Sequence, residues 1–181
     1  MSTILIVPGL QGSGPAHWQS WFEAQLPECV RVEQSDWSSP QLTRWAGSVR
    51  QQLDRAKGHV WIVAHSFGCL ASLHATARYP GLGVAQILLV APAEPTRFNV
   101  ANALPQAPLA MRTCVVASDN DPWMSATHAH AWAQRWGSDW INLGNAGHIN
   151  ADSGYGPLPL AREWAAGALN RIESRPWRVA A

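Results

Sequence analysis

The sequence predicts an α/β fold, a sheet of about six mostly parallel strands with helices on both faces. Strand-length apolar runs alternate with segments of helical periodicity along the whole of the 181 residues. The innermost run, HVWIVA, is apolar almost throughout, as a strand covered on both faces must be. The length suits one domain spanning 1–181, and 47% hydrophobic residues supply a core for it.

Each element has its own local reason. TILIV is the first strand. HWQSWFEAQL is a helix, since Trp18, Trp21, Phe22 and Leu26 fall at helical spacing. CVRVEQ is the second strand. SPQLTRWAGSVRQQLDRA is a helix with Pro40 at an early position and Leu42, Trp45, Val49 and Leu53 on one face. HVWIVA is the third strand, and FGCLASLHATARY is a helix ended by Pro80-Gly81. VAQILLVA and MRTCVVAS are the fourth and fifth strands. SATHAHAWAQRWG is a helix closed by Gly137. DWINL is a short sixth strand, and PLPLAREWAAGALNRI is the last helix. The stretch from Pro92 to Ala110 shows no periodicity and reads as a reduced lid or a surface loop.

Composition excludes several classes of function. The formal charge is +1 and no basic stripe stands out, which argues against nucleic acid as a partner. The longest apolar runs are strand-sized and too short to span a membrane. MSTILIV enters a strand at once, with no basic segment before it, so no signal peptide is expected. The three cysteines, Cys29, Cys69 and Cys114, are widely spaced and form no metal-like pair. A reduced, cytoplasmic setting is the simplest reading. Most of the eleven tryptophans are expected to pack in the core or on helix faces, with a few lining an apolar pocket.

The chemistry starts at AHSFG. Ser66 follows the most buried-looking strand and precedes a helix, which is the setting of a nucleophile elbow. Small residues two before and two after let strand and helix approach closely. Gly68 satisfies that fully, and Ala64 does so with one methyl more than the usual glycine. A serine there can also simply cap the helix. The order of later residues separates the two readings. A serine nucleophile needs a histidine base, and the base needs an orienting acid. After the fifth strand comes SDNDPW, carrying Asp119 and Asp121. After the sixth comes NAGHINADSGYG, carrying His148. Both loops fall at the sheet edge that holds Ser66, in the order Ser, acid, His. Asp121, deeper in its loop and just before Pro122, is the chosen acid. Asp119 reads as a loop residue bonding nearby backbone. Asp152 lies only four residues past His148, outside the position the order demands.

Two backbone donors complete the constellation. Phe67 opens the helix after Ser66, and its N–H faces a developing oxyanion. Leu10, in the glycine-rich loop PGLQGSGPAHW, supplies a second N–H. That loop runs G-x-x-G-x-G, which matches neither common nucleotide-binding pattern. His17 at its end either touches substrate or only starts the first helix. His65 either points into the pocket or packs beneath it. His74, His128 and His130 lie within helices and read as surface or packing residues. Trp37, Trp123 and Tyr155 join His17 as candidate pocket walls, because each sits in or beside a loop at the same edge.

These residues together resemble a known family, the small single-domain α/β-hydrolases related to retinoblastoma-binding protein nine, also called YdeN-like. VPGLQGSGPAHWQSWFE, QSDW, VAHSFG, SDNDPW and GHINADSGYGPLP resemble that family's blocks, in order, over nearly the whole chain. The resemblance implies a compact α/β-hydrolase fold with a reduced or absent cap. It implies Ser66, Asp121 and His148 as the triad, with Leu10 and Phe67 as oxyanion donors. It also implies hydrolysis of a small-molecule ester or related acyl bond, with no metal and no cofactor. The alternative is a protein-binding module on a hydrolase scaffold, with a protein partner in place of turnover.

Overall fold

The computed structural model describes residues 2–79, 81 and 83–173. Six strands form one sheet: β1 (Ser2–Val7), β2 (Cys29–Arg31), β3 (His59–His65), β4 (Val84–Val90), β5 (Arg112–Ala117) and β6 (Asp139–Asn142). Their order is β2-β1-β3-β4-β5-β6, and every neighbouring pair is parallel. The expected class therefore holds, with a sheet that is wholly parallel rather than mostly so. Among the described residues, five helices accompany it: α1 (Trp18–Glu23), α2 (Leu42–Arg55), α3 (Phe67–Arg78), α4 (Ala126–Trp136) and α5 (Pro159–Glu173).

Strand periodicity sorts the core into two halves. On β3, Val60, Ile62 and Ala64 pack with Trp45, Val49 and Leu53 of α2, Leu70 and Leu73 of α3, and Ala133 and Trp136 of α4. Trp61 and Val63 pack on the other face with Trp18 and Phe22 of α1, with Leu158 just before α5, and with Ala161 and Ala165 of α5. Side chains of successive strand residues point to opposite faces, so an all-apolar strand needs helices on both sides. Among the described residues, no helix is long and apolar enough to cross a membrane.

Several boundaries differ from the sequence reading. β2 is three residues, not six. It is an edge strand bonded only to β1, and Val32 makes one more bond to Ile6 before the chain turns in and buries Gln34. α1 ends at Glu23, with a capping turn at Ala24 and Pro27 close behind. α2 starts at Leu42 after Gln41, so Pro40 precedes the helix instead of opening it. The proposed stop at Pro80 lies outside the described residues. The stretch from Pro92 to Ala110 is neither lid-like helix nor free loop. It makes two 3-10 turns, Pro95–Phe98 and Ala101–Ala103. They are tied down by His74 Nδ1 on the Ala103 carbonyl (2.9 Å) and by Trp136 Nε1 on the Pro105 carbonyl (3.1 Å).

Candidate active site

In a parallel sheet all strands end at one edge, so the segments following β1, β3, β4, β5 and β6 converge there. Ser66 sits at a tight junction between β3 and α3. Its backbone is held at φ 53° and ψ −124°, a conformation that non-glycine residues rarely adopt. Its side chain makes no capping bond to α3. The capping alternative therefore does not describe this serine.

The close approach that the turn demands is visible at two glycines. A Cβ on Gly68 would fall 2.5 Å from the Val7 carbonyl oxygen and closer still to that of Pro8. A Cβ on Gly9 would lie 2.6 Å from Cβ of Ser66. Neither position has room for a methyl, which lets the loop after β1 press against the start of α3. Ala64 is fully buried and tolerated.

The Ser66 hydroxyl donates toward His148 Nε2 at 2.9 Å. On the far side of the ring, Nδ1 lies 2.8 and 3.0 Å from the two carboxylate oxygens of Asp121. An ionised carboxylate only accepts, so a neutral His148 carries its proton on Nδ1 and presents the Nε2 lone pair to the serine. Asp121 also accepts from the N–H of Trp123 at 2.8 Å, which ties the carboxylate to its own loop. Its side chain is 3% exposed, and that of His148 is 7% exposed. Asp119 has a different occupation. Its carboxylate accepts from Asn142 Nδ2 at 2.7 Å and its N–H donates to the Gly144 carbonyl, stapling the β5 and β6 loops together. Asp152 lies at the cleft wall, and the hydrogen-bonding partner of the His148 ring is Asp121.

The loop carrying His148 is held by side chains from several elements. Ser118 Oγ accepts from the N–H of Ala146, Asn120 Oδ1 from that of Gly147, and Ser153 Oγ from that of His148. The four polar residues of SDND thus divide the work: Ser118 and Asn120 hold the loop, Asp119 staples it, and Asp121 meets the ring.

A cleft of about 610 Å³ opens over Ser66. Leu10 lines it, with Gly12 to His17 nearby, and so do His65, His148 and Trp123. Among the described residues, neither the Leu10 nor the Phe67 N–H donates a hydrogen bond within the chain. His17 caps α1: its Nδ1 accepts from the N–H of Gln19 at 3.1 Å. Burial foremost, then the charges of Arg31 and His148, lowers its pKa to about 4. Trp123 stands at the mouth, 53% exposed. Trp37 and Tyr155 do not line the cleft. The Trp37 ring packs behind Gly12 and edge-on to Trp45, and its carbonyl accepts from the N–H of Gln11, so it braces the loop from outside. Tyr155 packs half-buried against the α1/α5 side of the core.

The missed wall is the segment after β4. Ala93, Glu94, Arg97 and Phe98 all line the cleft. The buried Glu94 carboxylate bonds Thr96 Oγ1 at 3.0 Å and His128 Nδ1 at 2.9 Å. The signal was available: the same sheet-edge argument that singled out SDNDPW applies to APAEPTRF, which also follows a strand.

The chain matches the family model described as serine hydrolase over residues 4–165. It belongs to the serine hydrolase family. A YdeN-like hydrolase of Pectobacterium atrosepticum shares 40% identity with this serine hydrolase, covering 92% of this chain and 90% of that one, at a TM-score of 0.87. The ydeN gene product of Bacillus subtilis shares 20% identity over 94% of this chain and 100% of its own, at a TM-score of 0.78. Alpha/beta hydrolase domain-containing protein 10 from mouse shares 16%, with 94% and 90% covered and a TM-score of 0.70. The last two show the α/β-hydrolase fold, and the first places this serine hydrolase with the YdeN-like members. No curated protein matches the chain.

Proposed function

We propose that this hydrolase cleaves a carboxylic ester or related acyl bond through an acyl-enzyme on Ser66. The observation that carries the proposal is the unbroken chain from Ser66 Oγ through His148 to Asp121, with every link at or below 3.0 Å. As Ser66 Oγ attacks the substrate carbonyl, His148 Nε2 takes its proton and Asp121 stabilises the resulting imidazolium. The unpartnered N–H groups of Leu10 and Phe67 receive the oxyanion. His148 then returns its proton to the leaving group. It next activates a water that attacks the acyl carbon and frees Ser66.

The pocket is largely apolar around Leu10, Ala93 and Phe98, which suits a small acyl group. The three cysteines are free, which supports the reading of a reducing, cytoplasmic setting.

Labelling by a fluorophosphonate probe tests the nucleophile. The native chain is expected to label and Ser66→Ala not at all; equal labelling of both would remove Ser66 from the mechanism. A series of p-nitrophenyl esters of rising acyl length, run beside amino-acid amides, sorts esterase from peptidase action.

A further inference from the structure

The mechanism above leaves His65, a buried polar side chain at the centre of the site, unused. His65 precedes Ser66, is 4% exposed, and sends its Nε2–H to the backbone carbonyl of His148 at 2.9 Å. A carbonyl can only accept, so this contact fixes the His65 tautomer with the proton on Nε2. The bond joins residues 83 positions apart, one beside the nucleophile and the other the base itself.

We propose that His65 is a positioning residue that ties the backbone of the base His148 to the strand end carrying Ser66. The inference rests on the triad reading given above. The other ties on the His148 loop come from elsewhere: Ser118 and Asn120 follow β5, and Ser153 belongs to the loop itself. Those ties reference the base to its acid. The His65 bond references it to the nucleophile, and so sets where Nε2 stands over Ser66 Oγ. Displacing a reacting group by about 1 Å costs on the order of 10²-fold in rate, so a tie of this kind acts on turnover.

The ring is itself held firmly. His17 packs against it edge to face at 4.7 Å between centroids, Trp18 at 6.1 Å, and the His148 ring lies 4.9 Å away. Burial, followed by the nearby His148 and His17, holds the pKa of His65 well below the ordinary histidine value. A neutral His65 adds no positive charge beside the imidazolium that His148 becomes during reaction.

Two variants separate positioning from mere packing. His65→Gln keeps an N–H donor at similar reach, and His65→Leu keeps volume without a donor. For His65→Leu we expect kcat on p-nitrophenyl acetate to fall about 10- to 100-fold, with KM within about threefold. His65→Gln is expected to recover to within about fivefold of the native rate. The downfield proton resonance of the His148–Asp121 hydrogen bond should broaden or shift in His65→Leu and be restored in His65→Gln. Full activity in a folded His65→Leu would overturn the proposal. So would a His65→Gln as slow as His65→Leu although both melt like the native protein. If the native chain labels with no fluorophosphonate, the triad reading fails on that result alone. The proton resonance then still reports whether His65 holds His148.

Discussion

At the scale of single residues, the site is decided by what each polar group is left free to do. Ser66 could have satisfied helix donors. Its positive φ aims the hydroxyl at His148 instead, at a local cost of order 1–3 kcal/mol that the packing around Gly9 and Gly68 must sustain. Asp119 and Asp121 are two residues apart and chemically identical, yet one meets Asn142 and the other the imidazole. Asp121→Asn is therefore expected to lower kcat by roughly 10⁴, the loss typical of an orienting acid made neutral. Asp119→Asn should keep kcat within about tenfold and act mainly through the loop. Steady-state kinetics on both variants check this, and a larger loss at Asp119 would reassign the acid. The sequence made Ser66 and His148 legible through their order along the chain. The choice between the two aspartates followed from position in the loop, and the ring contact is something only three-dimensional structure supplies.

At the scale of elements, the junction of β3 and α3 depends on α3 riding directly over the end of β1. Gly68→Ala places a methyl against the Val7 and Pro8 carbonyls, which are backbone and cannot rotate aside. Overpacking of this sort destabilises by about 1–3 kcal/mol, so a clear fall in melting temperature is expected. An unchanged melting temperature in Gly68→Ala would mean that helix and strand are less tightly apposed. The elements that sequence periodicity described best, β3, α2 and α3, are those whose own burial pattern dictates them. The segment after β4 was opaque for the opposite reason. Its 3-10 turns are fixed by partners far away, with Phe98 against the Phe67 ring at 4.9 Å and Leu109 bonded to the Trp136 carbonyl. No local pattern announces such contacts. Trp37 misled because proximity to the right sheet edge says nothing about which side of a loop a ring packs on. Since Phe98 lines the cleft, Phe98→Ala should enlarge the pocket and shift preference toward longer acyl chains. The ratio of kcat/KM for octanoate over acetate esters is the readout, and a ratio equal to that of the native protein would exclude Phe98 from the acyl wall.

At the scale of the whole molecule, alternation of strands and helices was enough to name the class, because parallel connection leaves few other ways to cover both faces. Strand order was not legible, since apolar strands such as β3 and β4 carry no mark of which neighbour they take. The folded whole also acquires a property that no single element has, a dependence of stability on acid set by imidazoles it refuses to protonate. His17 is held neutral down to about pH 4, by burial first and then by Arg31 and His148. His65 is displaced in the same direction, by burial first and then by His148 and His17. In the unfolded chain both titrate near 6.5. Between roughly pH 6.5 and 4 the unfolded state therefore binds protons that the folded state does not, and stability rises with pH across that window. Above it the contribution is complete; as pH falls through it, the contribution is lost. For His17 alone the displacement corresponds to roughly 3 kcal/mol, and His65 adds to it. His17→Asn keeps an oxygen that can accept from the N–H of Gln19, so the cap on α1 survives while the titrating ring is gone. Melting temperatures followed from about pH 7 to pH 4 should then decline less steeply for His17→Asn than for the native chain. Parallel declines would show that the neutral His17 contributes nothing to the acid sensitivity of the fold.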